Sequence, residues 1–332
     1  MQAPELPRYL RRLRSRPLSA TAPPTASRSS RPDDTWLATG HAHGHHGEIL
    51  QGAFRVNGGL IRGLVTLHCP ALWSEATVAL ERDAAGGLQV EPRWKTKALR
   101  AVGLTLDRLG IQDVGGAVTI ASNIPPGHGY GSSTSDVAAA IDATLRALRH
   151  SLARETIAEL AVAAEGASDA TFWDRPVLFA QRRGHVIEDY KSPLPPMEVL
   201  AFHTAPDGTG IDTLALPVPR YDDGEIERFE QLRSSLRVAL ARCDARGVAA
   251  VATESARLNQ RHLSQPGFDE ITATARRVGA IGVQVAHSGE VGGLLFEAGP
   301  GIEGSIERAR DELEGRGLRP WRFNPRRAPA AA

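Results

Sequence analysis

The chain has only two cysteines in 332 residues, Cys69 and Cys243, and neither has a CxxC neighbour. That excludes a disulfide scaffold and the usual thiolate metal motifs, and a reducing cytosol fits this usage best. No run approaches the ~20 consecutive apolar residues that span a bilayer, so an integral membrane protein is not expected. Charge of one sign is also missing: 39 basic side chains face 38 acidic ones, leaving no broad field for nucleic acid or an anionic membrane. Any polyanion it binds must be small. Lysine is scarce, with Lys95, Lys97 and Lys191 the only three. There is no GlyLysSer or GlyLysThr and hence no Walker A loop, the glycines of the 124–136 loop do not follow the dinucleotide-type GxGxxG order, and there is no internal repeat.

What is present is a globular mixture. Residues 1–34 hold seven arginines against three acids and lack periodicity, which reads as a disordered basic tail, although the Arg- and Ser-rich texture also suits a presequence. From Trp36 short β-rich runs follow at 60–67, 76–80 and 116–120. Helical spacing marks Ala98, Val102, Leu104, Leu106 and Leu109, then Val137, Ile141, Leu145 and Leu148 from Ser133 on, then Ile157, Leu160 and Ala164 within 153–165. A strand pair near 177–187, holding Phe179 and preceded by Phe172 and Trp173 as core residues, leads to Pro193, Pro195 and Pro196. A Pro-rich stretch resists both helix and central strand, so a domain boundary is placed there. Beyond it the pattern gives a strand at 198–203, helices near 223–244, 246–261 and 267–278, and strand, turn, strand over 282–297. The result is an α+β layout of units 35–195 and 196–325, with frayed residues 326–332.

The chemistry concentrates in IPPGHGYGSSTSD, residues 124–136, between a strand and a helix. Gly127, Gly129 and Gly131 permit positive φ, so successive N–H groups can turn inward around an anion. Ser132 and Ser133 sit at the helix start, Ser133 has capping-box spacing to Asp136, and the helix dipole favours negative charge there. On its own, a glycine turn with a serine is also an ordinary helix start. With no lysine in the loop, a triphosphate would need Mg²⁺ and the helix N-terminus, and Mg²⁺ needs a carboxylate. Glu165 and Asp169, four apart, would share a face if their helix runs through Gly166, one to hold the metal and one to meet an acceptor hydroxyl. Such a pair is also what a solvated helix end looks like. The histidines 41, 43, 45 and 46 invite a zinc reading, but their spacing matches metal motifs poorly.

The loop resembles the central motif of the GHMP kinases, the superfamily of galactokinase, homoserine kinase and mevalonate kinase. GHHGEILQG at 44–52 is similar to the amino-terminal element of its L-threonine kinase branch, and GVQVAHSGEVGGLLF at 282–296 to that branch's glycine turn. The resemblance covers about residues 38–298. It implies a ribosomal-protein-S5-domain-2-like amino domain that binds ATP, a ferredoxin-like carboxy domain, and ATP with Mg²⁺ in the cleft. It places Pro126, Gly127, His128, Gly129, Tyr130, Gly131, Ser132, Ser133 and Thr134 at the nucleotide, Ser133 and Glu165 at the metal, and Asp169 at the acceptor hydroxyl. Tyr130 and His128 depart from the small residues common there. His45, His46, Glu48, Gln51, Asn259, His287, Ser288 and Gly289 would contact the acceptor. Asp207, Gly208, Gly210 and Asp212 form a turn that could meet a substrate ammonium, and Ser255 and Asn259 share a helix face. The implied activity is phosphorylation of a hydroxy amino acid, L-threonine foremost, with homoserine, serine or a modified relative as alternatives, in a cytoplasmic enzyme acting on small molecules. A nucleotide-binding regulator without turnover is the reading from another class.

Overall fold

The structure, a computed structural model, describes residues 35–84, 86–204, 219–287 and 290–326. The basic tail and the 207–212 turn therefore lie outside the described residues. Among the described residues, ten strands form one mixed sheet in the order β10-β7-β9-β8-β1-β2-β4-β3, with the β5–β6 hairpin attached to β2. Among the described residues no helix is long and apolar enough to cross a membrane.

The sheet is built on β1 (Thr35–Val56) and β2 (Gly59–Arg82), paired antiparallel along nearly their full length. Asn57 and Gly58 join them, both at positive φ (49° and 78°), as the two-residue hairpin turn with matching twist requires. The runs at 60–67 and 76–80, expected as separate strands, are one strand. The register jumps from His43↔Trp73 to Gly44↔Cys69, so Pro70 falls within an irregularity where its missing N–H breaks no ladder. A second shift inserts one extra residue between His45 and Glu48. Three positions apart on a regular strand these side chains would face opposite ways; the bulge brings them to one side.

Strand β3 (Leu88–Glu91) runs parallel to β4 (Val114–Ser122), and α1 (Thr96–Arg108), α2 (Ser132–Ala147) and α3 (Arg154–Glu165) pack as the helical layer of the first half. Helix α2 lies directly on β1: a Cβ added at Gly40 would meet Ala143 N at 2.2 Å. After β5 (Val177–Ala180), β6 (His185–Asp189) and the proline segment come β7 (Met197–His203), α4 (Asp223–Ala241), α5 (Ala245–Asn259), α6 (Phe268–Val278), β8 (Gly282–Val285), β9 (Val291–Glu297), α7 (Glu303–Glu314) and β10 (Trp321–Phe323). One core cluster joins Leu50, Phe54 and Leu67 of the first half to Phe229, Leu236 and Val248 of the second. Between the two halves of the sheet, β8 meets β1 through a single backbone pair, Glu48↔Val285.

Candidate functional site

The glycine loop runs from β4 to α2. Gly127, Gly129 and Gly131 stand at φ 76°, 77° and 73°, and all three face a cavity of about 830 Å³ including its open mouth. Ser132, Ser133 and Thr134 line the same cavity, so the positive end of α2 points into it. His128 and Tyr130 turn the other way. Tyr130 is buried 5.6 Å from the His46 ring, and His128 packs edge-on against His203 at 5.1 Å. Pro126, exposed at the turn, lines neither cavity of the site.

The serine cap expected at this helix is absent. The N-cap is Gly131, in the left-handed conformation and without a side-chain cap. Asp136 instead accepts hydrogen bonds from Ser74 and Lys95, a buried ion pair that ties α2 to β2 and to the start of α1. A carboxylate paired with a buried ammonium is far better compensated than one left to cap a helix whose left-handed glycine already shapes its entry.

Helix α3 ends at Glu165, because Gly166 takes a left-handed φ of 89° and terminates it. Glu165 and Asp169 therefore do not share a helix face, yet the turn after the helix brings them together around Thr134, whose hydroxyl lies 2.9 Å from Glu165 Oε1 and 3.3 Å from Asp169 Oδ2. Burial pushes the Glu165 carboxyl up to about 7, against the opposing hydroxyls of Ser133 and Ser168. Ser133 Oγ is buried without a well-formed hydrogen bond. An underused hydroxyl beside a buried carboxyl at the mouth of an anion cradle is hard-oxygen chemistry that fits Mg²⁺ with a phosphate.

On the opposite wall, His45 Nε2 lies 2.9 Å from Asp169 Oδ2, with both side chains buried. Burial alone would raise Asp169, but the imidazolium of His45, helped by His287 and Thr134, holds it well below the usual carboxylate range. Burial likewise works against charging His45, and Asp169 outweighs it, so its pKa is raised. Glu48 forms a two-point clasp on His287, accepting from its backbone N–H at 2.7 Å and pairing with its Nδ1 at 2.7 Å. Against burial, Glu48 lifts His287 to about 9. The two histidine rings stack at 6.2 Å.

A second cavity, about 820 Å³ with its mouth, adjoins the first, and Ala167, Gln181 and His287 line both. Gln51 and Asn259 stand on its wall. Gln51 is pinned there by its backbone, whose N–H donates to Ser255 Oγ and whose carbonyl accepts from Asn259 Nδ2, each at 3.0 Å. Of the expected acceptor residues, His45 lines only the first cavity, Glu48 lines neither, and His46 is packed against Tyr130, Trp321 and Phe323, bonded at Nδ1 to Gln284, and driven by burial to a pKa of about 3. Ser288 and Gly289 lie outside the described residues. His41 and His43 do not join His45 and Glu48; His41 sits on the surface beside Glu75 at 3.4 Å.

Lys97, Arg62 and Arg182 escaped the sequence reading. Lys97 lines the first cavity and the two arginines line the second, where neither has a carboxylate partner among the described residues. Arg62 did carry a signal, as the one charge inside the apolar run LIRGLVTL. Lys97 and Arg182 look like any surface cation.

Residues 96–173 match the GHMP kinases N terminal domain. The chain is 29% identical over 180 residues to the L-threonine kinase of Salmonella typhimurium and 27% identical over 180 residues to that of Citrobacter freundii, in each case 54% of this chain. It spans 59% and 62% of the length of these curated relatives. In structure it is similar to homoserine kinase from Cytophaga hutchinsonii, with a TM-score of 0.65 over 90% of this chain and 96% of that one, at 14% identity. The two-domain α+β architecture is thus that of the GHMP kinases. The matched domain, the curated relatives and the shared fold agree: the family this chain is similar to is the GHMP kinases.

Proposed function

We propose that the protein is an ATP- and Mg²⁺-dependent kinase that phosphorylates the side-chain hydroxyl of a small amino acid, with L-threonine the leading acceptor and L-homoserine the nearest alternative. The observation that carries this reading is the pair of adjoining cavities: an anion cradle at the α2 N-terminus opens onto a polar space that holds two arginines with no carboxylate partner among the described residues. A nucleotide's phosphates suit the first, and a small molecule bearing a carboxylate suits the second. The curated relatives are named for L-threonine, and discriminating one methyl or methylene is worth only ~1–3 kcal/mol, so homoserine stays close.

Ser133 and Glu165 would hold Mg²⁺, which supplies charge neutralisation at the phosphates when bound. The N–H groups of the glycine loop and of Ser132 cradle the phosphate oxygens. Asp169 orients the acceptor hydroxyl; held so far below the ordinary carboxylate range by His45, it is a poor proton acceptor. The acceptor oxygen forms the new bond to the γ-phosphorus, the bond to the βγ-bridging oxygen breaks, and that electron pair leaves with ADP. The hydroxyl proton passes to an oxygen of the transferred phosphoryl group. Arg62 and Arg182 face the acceptor's carboxylate.

The test is ADP release from Mg-ATP by the purified protein against L-threonine, L-serine, L-homoserine and simple alcohols. Threonine-dependent turnover is expected, and Arg62→Met should raise the acceptor KM by roughly 10-fold or more while leaving the KM for Mg-ATP in place. Turnover with another acceptor alone would discard threonine. Nucleotide binding without any acceptor-dependent turnover would favour a nucleotide-binding regulator instead.

A further inference from the structure

Of the residues shared by the two cavities, Ala167 and Gln181 are neutral, and only His287 can carry charge. On the kinase reading, these shared residues stand where the two spaces meet. The loop itself holds no lysine, Lys95 is consumed by Asp136, the His45 imidazolium is spent on Asp169, and Lys97 lines the first cavity but not the junction. His287 is fixed differently: Glu48 takes its backbone N–H and its Nδ1, which fixes the ring and leaves Nε2 unengaged by the clasp.

We propose that His287, clasped by Glu48, is a catalytic residue that places a positive charge against the phosphoryl group in flight, with Glu48 as its positioning residue. The inference rests on the kinase reading above. Phosphoryl transfer is mostly positioning and neutralisation of charge spread over the equatorial oxygens, and an imidazolium at the junction meets that charge where it develops. The bond changes are those already given, and His287 neither gains nor loses a proton across them. The charged groups that face it are Glu48 and His45 from β1, Arg62 from β2 and Asp169 from the turn after α3; the two carboxylates support its charge while Arg62 opposes it. Its proton is held through neutral pH, consistent with this role.

The experiment uses the full chain with Mg-ADP, with and without aluminium fluoride, whose planar complex imitates the transferring group. Wild type should bind more tightly when fluoride is added. His287→Gln should bind Mg-ADP within about 3-fold of wild type yet lose roughly 100-fold of the fluoride-dependent tightening. In parallel, the His287 imidazole is titrated by NMR, its resonance assigned by its loss in the Gln variant. Glu48→Gln should bring that titration down towards the ordinary histidine value of about 6.5, a change that a merely structural Glu48 would not produce. Full fluoride tightening in His287→Gln, or an unmoved titration in Glu48→Gln, would overturn the proposal. Failure of wild type to bind Mg-ADP would overturn the kinase reading and this role with it.

Discussion

At the residue scale, Glu165 is the most exposed to test, because its environment is set against its charge. Its carboxyl has a folded-state pKa of about 7 against an ordinary 4.5. A group raised in this way contributes stability that is complete below the unfolded value and is lost as pH rises through the folded one. In the protein without ligand, Glu165→Gln should therefore add stability on the order of 3 kcal/mol at pH 8, with a higher melting temperature, and change neither appreciably at pH 4. The same variant should lose most of the stabilisation that Mg-ADP gives wild type, since a metal needs the ionised carboxylate. Thermal melts at the two pH values read both effects; a pH-independent difference would sink the account of a strained buried carboxyl.

At the element scale, the glycine loop works by backbone shape. Gly131 combines φ 73° with contact: a Cβ there would meet His45 Cδ2 at 2.3 Å. Gly131→Ala should cost about 1–3 kcal/mol in urea unfolding and, by displacing His45 and with it Asp169, abolish most nucleotide-induced stabilisation. Gly58→Ala is the matched control: it has φ 78° but nothing within 4 Å, so it should show only the smaller backbone cost and normal nucleotide response. Retained nucleotide response in Gly131→Ala would mean that the loop tolerates a different backbone.

Helices were legible at this scale wherever one face is apolar, as at Val137, Ile141 and Leu145 of α2 or Ile157 and Leu160 of α3. The glycine cradle was legible because positive φ has a residue-level signature. The pairing of His45 with Asp169 was not, and neither was the clasp of Glu48 on His287. Both depend on the bulge after His45, and an inserted residue that reverses a strand's faces leaves no periodic trace. Strand β1 itself was hidden by a run of Gly and His that strand propensity disfavours; burial between β2 and β8 overrides that preference. Helix α7, with few buried apolar residues, and the three-residue β10 offered too little pattern to read.

At the scale of the whole molecule, the expected boundary at the proline segment, which we keep as a proposal, does not divide the interior. The first half's Leu50, Phe54 and Val65 are covered by Phe229, Leu232 and Leu236 of α4. A fragment ending at residue 195 would expose this surface, so residues 35–195 expressed alone should not fold cooperatively, whereas the full chain should melt in one transition. Calorimetry of the chain and an NMR spectrum of the fragment decide it; a dispersed fragment spectrum would show the first half to be self-sufficient.

The lone backbone bridge between β1 and β8 falls on Glu48, the same residue whose side chain charges His287. Any rotation that parts the two halves along this seam must also draw the carboxylate away from the imidazole. The ring would then shed its proton in ordinary buffer, and the gap that admits water would be the gap that switches the cation off. On the kinase proposal, the armed state and the shut state would be one geometry, with no separate latch.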